Sequence, residues 1–339
     1  MFFVLLFSFD LCGGVINRLS GGSQLELTSA ELAQLKKQSE QHASGGYSSD
    51  DNIVACFDEM SYFYTGGRYK NKEIKFRLHS PRKIQLGKKY PLIVWFHGAG
   101  ESDDDNKRQL AHLQLSLETF AGIDRPEFFM LALQCPSDNK NWSQSVSHEN
   151  NKGDSPMQIT REVMNTLIAE FPIDEACITA GGLSGGGSAA WQFVSESPEK
   201  FAAIATCSAV PPNKILQGIN IWIFVCTHDD SIVIQNARDI INNINRAGGF
   251  ATLTEIDSKS HDSWTEAFQK NYMLTWLICQ KRNSIIAPPP GAVCRPTSMK
   301  QKFTYFVLPI LLITLRITLL LRNRYKPNSD ILNVPQKSV

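Results

Sequence analysis

Residues 178–191 read ITAGGLSGGGSAAW. A β-branched run leads into five glycines grouped around one serine, and a helix-forming run follows. Glycine loses more conformational freedom on folding than any other residue, so this cluster needs a compensating constraint. Crowding supplies one. A chain that turns at once from strand to helix, with another group lying against the turn, leaves almost no room for Cβ atoms. The segment therefore predicts a strand over 176–180, a helix after Ser184, and Ser184 held at the corner between them.

The flanking sequence sets that turn in a larger pattern. Residues 91–96 (PLIVWF) form a continuous apolar run, as expected for a strand buried on both faces. Further strands are expected over 73–79, 128–133, 201–207, 221–226 and 251–256. Helices are expected from a cap at Asn106 to about Phe120, and over 156–171, 233–246 and 264–280. In the second of these, Ile159, Val163, Leu167 and Phe171 form one stripe at helical spacing. Alternation of this kind predicts an α/β fold, with a mainly parallel central sheet and helices on both faces. Sites in such sheets lie at the carboxyl ends of the strands.

Gly182-x-Ser184-x-Gly186, between a strand and a helix, matches the pattern that exposes a nucleophilic serine. A serine hydroxyl is a weak nucleophile near neutral pH. It needs a base, usually histidine, and a carboxylate to orient that base. Asp230 follows the strand 221–226, and His261 follows the strand ending near Ile256. Ser184, Asp230 and His261 thus sit after three strand ends, in the chain order serine, acid, histidine. An oxyanion hole needs two backbone N–H donors. Gly185 supplies one, and the loop His97-Gly98-Ala99-Gly100-Glu101 after PLIVWF supplies the other, with Ala99 preferred and Gly100 second. His97 reads as structural.

Taken in order, HGAGES (97–102), Asp105-Asn106, LALQCP (131–136), Trp142, GLSGGGSAAW (182–191) and HDSWTEAF (261–268) resemble a family of α/β-hydrolases known as predicted peptidases. That family is related to polyhydroxybutyrate depolymerases and feruloyl-esterase-like enzymes. The likeness spans roughly residues 57–280 and implies an α/β-hydrolase fold, the triad above and serine esterase chemistry. Two positions depart from it. Relatives commonly carry methionine where this chain has Gly185, and His-Gly where it has Cys226-Thr227. The acid keeps the usual spacing in Asp230-x-x-Val233, which favours Asp230, and Asp229 is its alternative. About a dozen residues separate Cys207 from Ile221, too few for a large lid.

Both ends of the chain are apolar. MFFVLLFSF opens it and has the length of a signal-peptide core, so residues 1–14 read as a possible signal peptide. Residues 15–51 read as a polar linker with a short helix, 52–283 as the catalytic domain and 284–302 as a Pro-rich stalk. Residues 303–321 form an apolar run of nineteen, about 28 Å as a helix, which matches the hydrocarbon thickness of a bilayer. Arg316 near its end can snorkel to the interface. A short basic tail, 322–339, completes the chain. The expectation is a single-pass protein with its catalytic domain outside or in a lumen; the alternative is a tail-anchored protein with a cytosolic domain. The Asn141-Trp142-Ser143 sequon is meaningful only in the first case.

Composition then narrows the classes. The net charge of +1 gives no basic excess for nucleic acid. No Cys-x-x-Cys pair occurs and the histidines are scattered, so neither metal nor cofactor is expected. Of the eight cysteines, Cys177, Cys207 and Cys226 read as buried small hydrophobes, while Cys56, Cys279 and Cys294 are candidates for pairing. The reading is a membrane-tethered serine esterase acting on an ester substrate. Its alternatives are a serine peptidase, or a catalytically silent hydrolase fold serving as a receptor or adhesion ectodomain.

Overall fold

The computed structural model describes residues 16–18, 51–64, 72–136, 142, 155–209, 216, 218–270 and 272–288. The chain divides into two units, Met1–Val293 and Cys294–Val339, and the second lies outside the described residues. So do the expected signal peptide, the membrane span 303–321 and the basic tail. Among the described residues, no helix is long and apolar enough to cross a membrane.

The first unit is built on a nine-stranded sheet. Its strands are β1 (Ile16–Arg18), β2 (Asp58–Tyr64), β3 (Lys72–His79), β4 (Tyr90–Phe96), β5 (Phe129–Leu133), β6 (Ile173–Leu183), β7 (Ala203–Cys207), β8 (Asn220–Cys226) and β9 (Phe250–Ile256). Their order across the sheet is β1-β2-β3-β5-β4-β6-β7-β8-β9. The β1–β2, β2–β3 and β3–β5 pairings are antiparallel; every pairing from β5 to β9 is parallel. The carboxyl ends of β4 to β9 therefore lie along one edge.

Helices cover both faces, as the continuous apolar runs require. They are α1 (Asp51–Ala55), α2 (Leu117–Ala121), α3 (Pro156–Glu170), α4 (Gly185–Glu196), α5 (Ile234–Arg246), α6 (Trp264–Gln269) and α7 (Met273–Ile278). Successive strand residues point to opposite faces. In β4, Leu92, Val94 and Phe96 join one core with α3, α4 and α5. Ile93 and Trp95, from the same strand, join the other with α1, α2, α6 and α7. Each large side chain so buried contributes about 1.5–3 kcal/mol. Helix α5 shows the local rule: Ala237, Ile241 and Ile244 are buried, at spacings that make one stripe. Helix α3 starts where Ser155 Oγ accepts from Gln158 N at 3.2 Å, with Pro156 in its first turn.

The structure departs from expectation in several places. The helix expected from Asn106 is a 3₁₀ segment, Arg108–Ser116, followed by α2. Asn106 does not cap it. Its φ is +54°, and its buried amide spans the loop, accepting from Gln109 Nε2 at 2.6 Å and donating to Phe76 O at 3.4 Å. The helix expected over 264–280 is broken into α6 and α7 at Tyr272, whose φ is also +54°. β2 was not anticipated, and β1 falls within the stretch read as a linker. Past the expected domain end at 283, Ser284 O accepts from Asn220 Nδ2 at 2.8 Å and Ile286 O from Trp276 Nε1 at 2.9 Å. Among the described cysteines, Cys207 and Cys226 are buried and Cys177 is half-buried; Cys56 and Cys279 are free thiols, while Cys294 lies outside the described residues.

Candidate active site

Strand β6 runs to Leu183, and α4 begins at Gly185. Ser184 alone makes the turn, at φ +51° and ψ −125°. A non-glycine residue in that region stores of order 1–3 kcal/mol, and strain of this kind collects at functional sites. Its N–H is held by Cys207 O at 2.8 Å, and its carbonyl accepts from Ser188 N at 3.1 Å. The glycines explain themselves by contact. A Cβ on Gly186 would lie 2.1 Å from His97 O, and one on Gly182 would lie 2.6 Å from Gly186 O. These turns pack backbone against backbone. Gly185 differs: a Cβ there meets nothing closer than 3.8 Å, so the corner has room for one.

His261 follows β9 and reaches the turn. Its Nε2 lies 2.9 Å from Ser184 Oγ. Its Nδ1 lies 2.6 Å from Oδ2 of Asp229. The expected acid, Asp230, is not the partner. It is exposed, while the Asp229 side chain is only 4% exposed beneath His261. The physical reason is the turn after β8. Asp229 N donates to Cys226 O at 3.4 Å and Ile232 N donates to Asp229 O at 3.1 Å, which points one aspartate inward and the next into solvent. Burial opposes the charge on Asp229. The hydroxyl and N–H of Ser231, at 2.6 and 2.9 Å, outweigh it together with His261, so the carboxyl sits below its ordinary range.

Two backbone N–H groups lie close together at this corner. Gly185 and Ala99 are each the first residue of a helical turn, so neither N–H has an intrahelical acceptor. A Cβ placed on Gly185 would lie 3.8 Å from Ala99 N, which sets the two groups beside one another. Beneath them, His97 is structural, as expected. Its Nε2 accepts from Cys135 N at 2.8 Å, which leaves Nδ1 to donate to Gly98 O at 2.7 Å. Burial pushes its pKa down to about 4 and keeps the ring neutral. Trp142 Nε1 donates to His97 O at 3.0 Å, which ties Trp142 to the turn.

Residues with no evident sequence signal also shape the site. Ser208 follows β7 with φ +48° and donates to the His261 carbonyl. Its Oγ lies 2.8 Å from Ser263 Oγ, which donates to Phe224 O at 3.0 Å. The histidine loop is thus fixed to the ends of β7 and β8. Ser184 and His261 open onto a cleft of about 440 Å³, lined also by Ser188, Ala209, Val233 and Asn236. Among the described residues, no cluster of side chains has the makings of a metal site.

A strained serine, an imidazole and a buried carboxylate joined by hydrogen bonds at a strand-to-helix corner invite comparison with known folds. Residues 68–266, more than half of the chain, match the model of the esterase family described as "Putative esterase". The chain belongs to this esterase family. Among solved structures, a thermostable esterase is similar at 27% identity and a TM-score of 0.55, over 68% of this chain and 64% of that one. An acylaminoacyl peptidase from Pyrococcus horikoshii is similar at 11% identity and a TM-score of 0.51, over 69% of this chain and 43% of that one. The second likeness concerns the fold alone. The chain spans less than two thirds of the length of either protein. No curated protein matches it. The esterase family membership and the sheet order together make the fold an α/β-hydrolase fold.

Proposed function

We propose that this protein hydrolyses carboxylic esters through Ser184, His261 and Asp229. The observation that carries the reading is the continuous hydrogen-bonded line from Ser184 Oγ to His261 Nε2, and from His261 Nδ1 to Asp229 Oδ2. His261 Nε2 takes the Ser184 proton as Oγ bonds to the ester carbonyl carbon. The carbonyl oxygen becomes an oxyanion, stabilised by the N–H groups of Gly185 and Ala99. When the tetrahedral intermediate collapses, the ester C–O bond breaks and His261 gives its proton to the departing alcohol. The acyl group stays on Ser184. Water then repeats the sequence: His261 takes its proton, and the acid leaves with Ser184 Oγ–H restored. Asp229 remains a carboxylate throughout. It fixes the imidazole tautomer and stabilises the imidazolium. Reaction with a fluorophosphonate probe, followed by a panel of chromogenic esters, tests the reading. Labelling and turnover that vanish in Ser184→Ala support it; turnover that survives in that variant refutes it.

We also propose that residues 303–321 hold the protein in a bilayer, with the catalytic domain outside or in a lumen. Their length and apolar character support this, because such a helix satisfies its own backbone within hydrocarbon. The expected result is carbonate-resistant membrane association that is lost on truncation before Lys300. Protease protection of the domain in sealed microsomes tests its side, and full sensitivity without detergent would favour the cytosolic alternative.

A further inference from the structure

We propose that Ser231 is a positioning residue that closes a hydrogen-bonded ring around Asp229 and His261. The inference rests on the esterase reading above and deepens it. Ser231 lies in the turn between β8 and α5. Its N–H and its hydroxyl both donate to Oδ1 of Asp229, at 2.9 and 2.6 Å. The other carboxylate oxygen, Oδ2, is left to His261 Nδ1 at 2.6 Å. The hydroxyl of Ser231 also lies 3.0 Å from the same Nδ1.

Donor capacity decides the roles. A serine hydroxyl has one proton and two lone pairs. Its proton is directed to Asp229 Oδ1, so toward His261 the oxygen acts as an acceptor. The Nδ1–H of His261 is therefore shared between Asp229 Oδ2 and Ser231 Oγ. Two consequences follow. A carboxylate held by one hydrogen bond can rotate about its terminal torsion, which is broad. Pinning Oδ1 twice stops that rotation and keeps Oδ2 aimed at the ring. The ionised carboxylate can only accept, so Nδ1 carries the ring proton and Nε2, facing Ser184 Oγ, stays unprotonated. When His261 takes the serine proton, the Ser184 O–H bond breaks and the Nε2–H bond forms. The Nδ1–H and Ser231 O–H bonds stay intact. Ser231 thus acts through its neighbours and exchanges no proton.

Ser231 also lines the cleft, so its test must separate orientation of His261 from contact with substrate. In the full-length protein, Ser231→Ala should lower kcat for a simple ester about tenfold and change KM less than twofold. The rate of fluorophosphonate labelling should fall by the same factor, since it reads activation of Ser184 without ester binding. Ser231→Thr, which keeps the hydroxyl, should recover most of both rates. The downfield proton resonance of His261 Nδ1–H should shift and exchange faster with water in Ser231→Ala. Unchanged kcat and labelling in Ser231→Ala would overturn the proposal, as would a loss confined to KM. If Ser231→Ala does not fold, the threonine variant decides: wild-type rates and an unmoved Nδ1–H resonance support the ring, and a tenfold loss in folded protein refutes it. Ser184→Ala distinguishes the two levels of inference. If it retains turnover, the esterase mechanism falls; if it is dead while Ser231→Ala is normal, only the role of Ser231 falls.

Discussion

Asp229 and Asp230 carry the same functional group on adjacent residues, and only their direction differs. Asp229→Asn should cut kcat by up to about ten-thousandfold, because an amide holds the imidazole in the wrong tautomer. Asp230→Asn should change it less than about threefold, since Asp230 is exposed. Steady-state kinetics on one ester check the pair, and the reverse ranking would restore Asp230 as the acid. The glycines give a second contrast. Gly186→Ala drives a Cβ into the His97 carbonyl at 2.1 Å and should abolish the soluble folded protein. Gly185→Ala meets only ordinary contacts and should leave stability within about 1 kcal/mol, read from denaturant midpoints. Ser184 and His261 were legible in the sequence because strand ends announce themselves as apolar runs broken by small or polar residues. The carboxylate that meets His261 was legible only to within one residue. Spacing taken from relatives selected Asp230, whereas the choice depends on how the turn after Cys226 closes on Ile232. No periodicity reports that turn.

At the scale of elements, β4, β5, β7 and β8 were readable because burial on both faces makes them almost continuously apolar. β2 escaped notice because it mixes charged, polar and aromatic residues, with half-buried Asp58 and Glu59 and exposed Phe63 beside buried Met60 and Tyr62. The break between α6 and α7 carries neither glycine nor proline, and the apolar stripe runs across it. One strand end has a consequence for pH. His79 closes β3 with Nδ1 donating to Cys56 O at 2.8 Å and Nε2 facing Arg125 Nη1 at 3.1 Å, among Phe57, Phe120 and Phe128. Burial, with Arg125 adding repulsion, pushes its pKa down to about 3. In the unfolded chain a histidine takes a proton near pH 6.5. Between those values the unfolded state binds the extra proton, so stability falls as pH drops, by up to about 1.4 kcal/mol per pH unit for this group. His97, held down to about 4, acts in the same direction. The urea midpoint should therefore drop steeply from pH 7 to pH 5. In His79→Gln, which keeps a donor for Cys56 O and an acceptor for Arg125, the slope should be shallower. Equal slopes would show that His79 does not set the acid limit.

At the scale of the whole molecule, the chain leaves the sheet where its strands begin. Arg282 N donates to Ala176 O at 2.8 Å, near the start of β6, and Ser284 O accepts from Asn220, the first residue of β8. A chain ended after Gln280 should be less stable than one ended after Pro288, because Asn220 and Trp276 lose the carbonyls of Ser284 and Ile286. Thermal melts of the two shortened chains measure the difference. The serine and histidine stand at the opposite edge, where the strands end. The seven residues of β8 alone span roughly 23 Å between those edges. In the chain ended after Pro288, a load hung from that end, such as a resin bead or a fused reporter, therefore leaves the mouth of the cleft clear. An enzyme immobilised by that handle should turn over a soluble ester at nearly its free rate. The same enzyme coupled through a cysteine placed at exposed Val233, on the rim of the cleft, should be throttled.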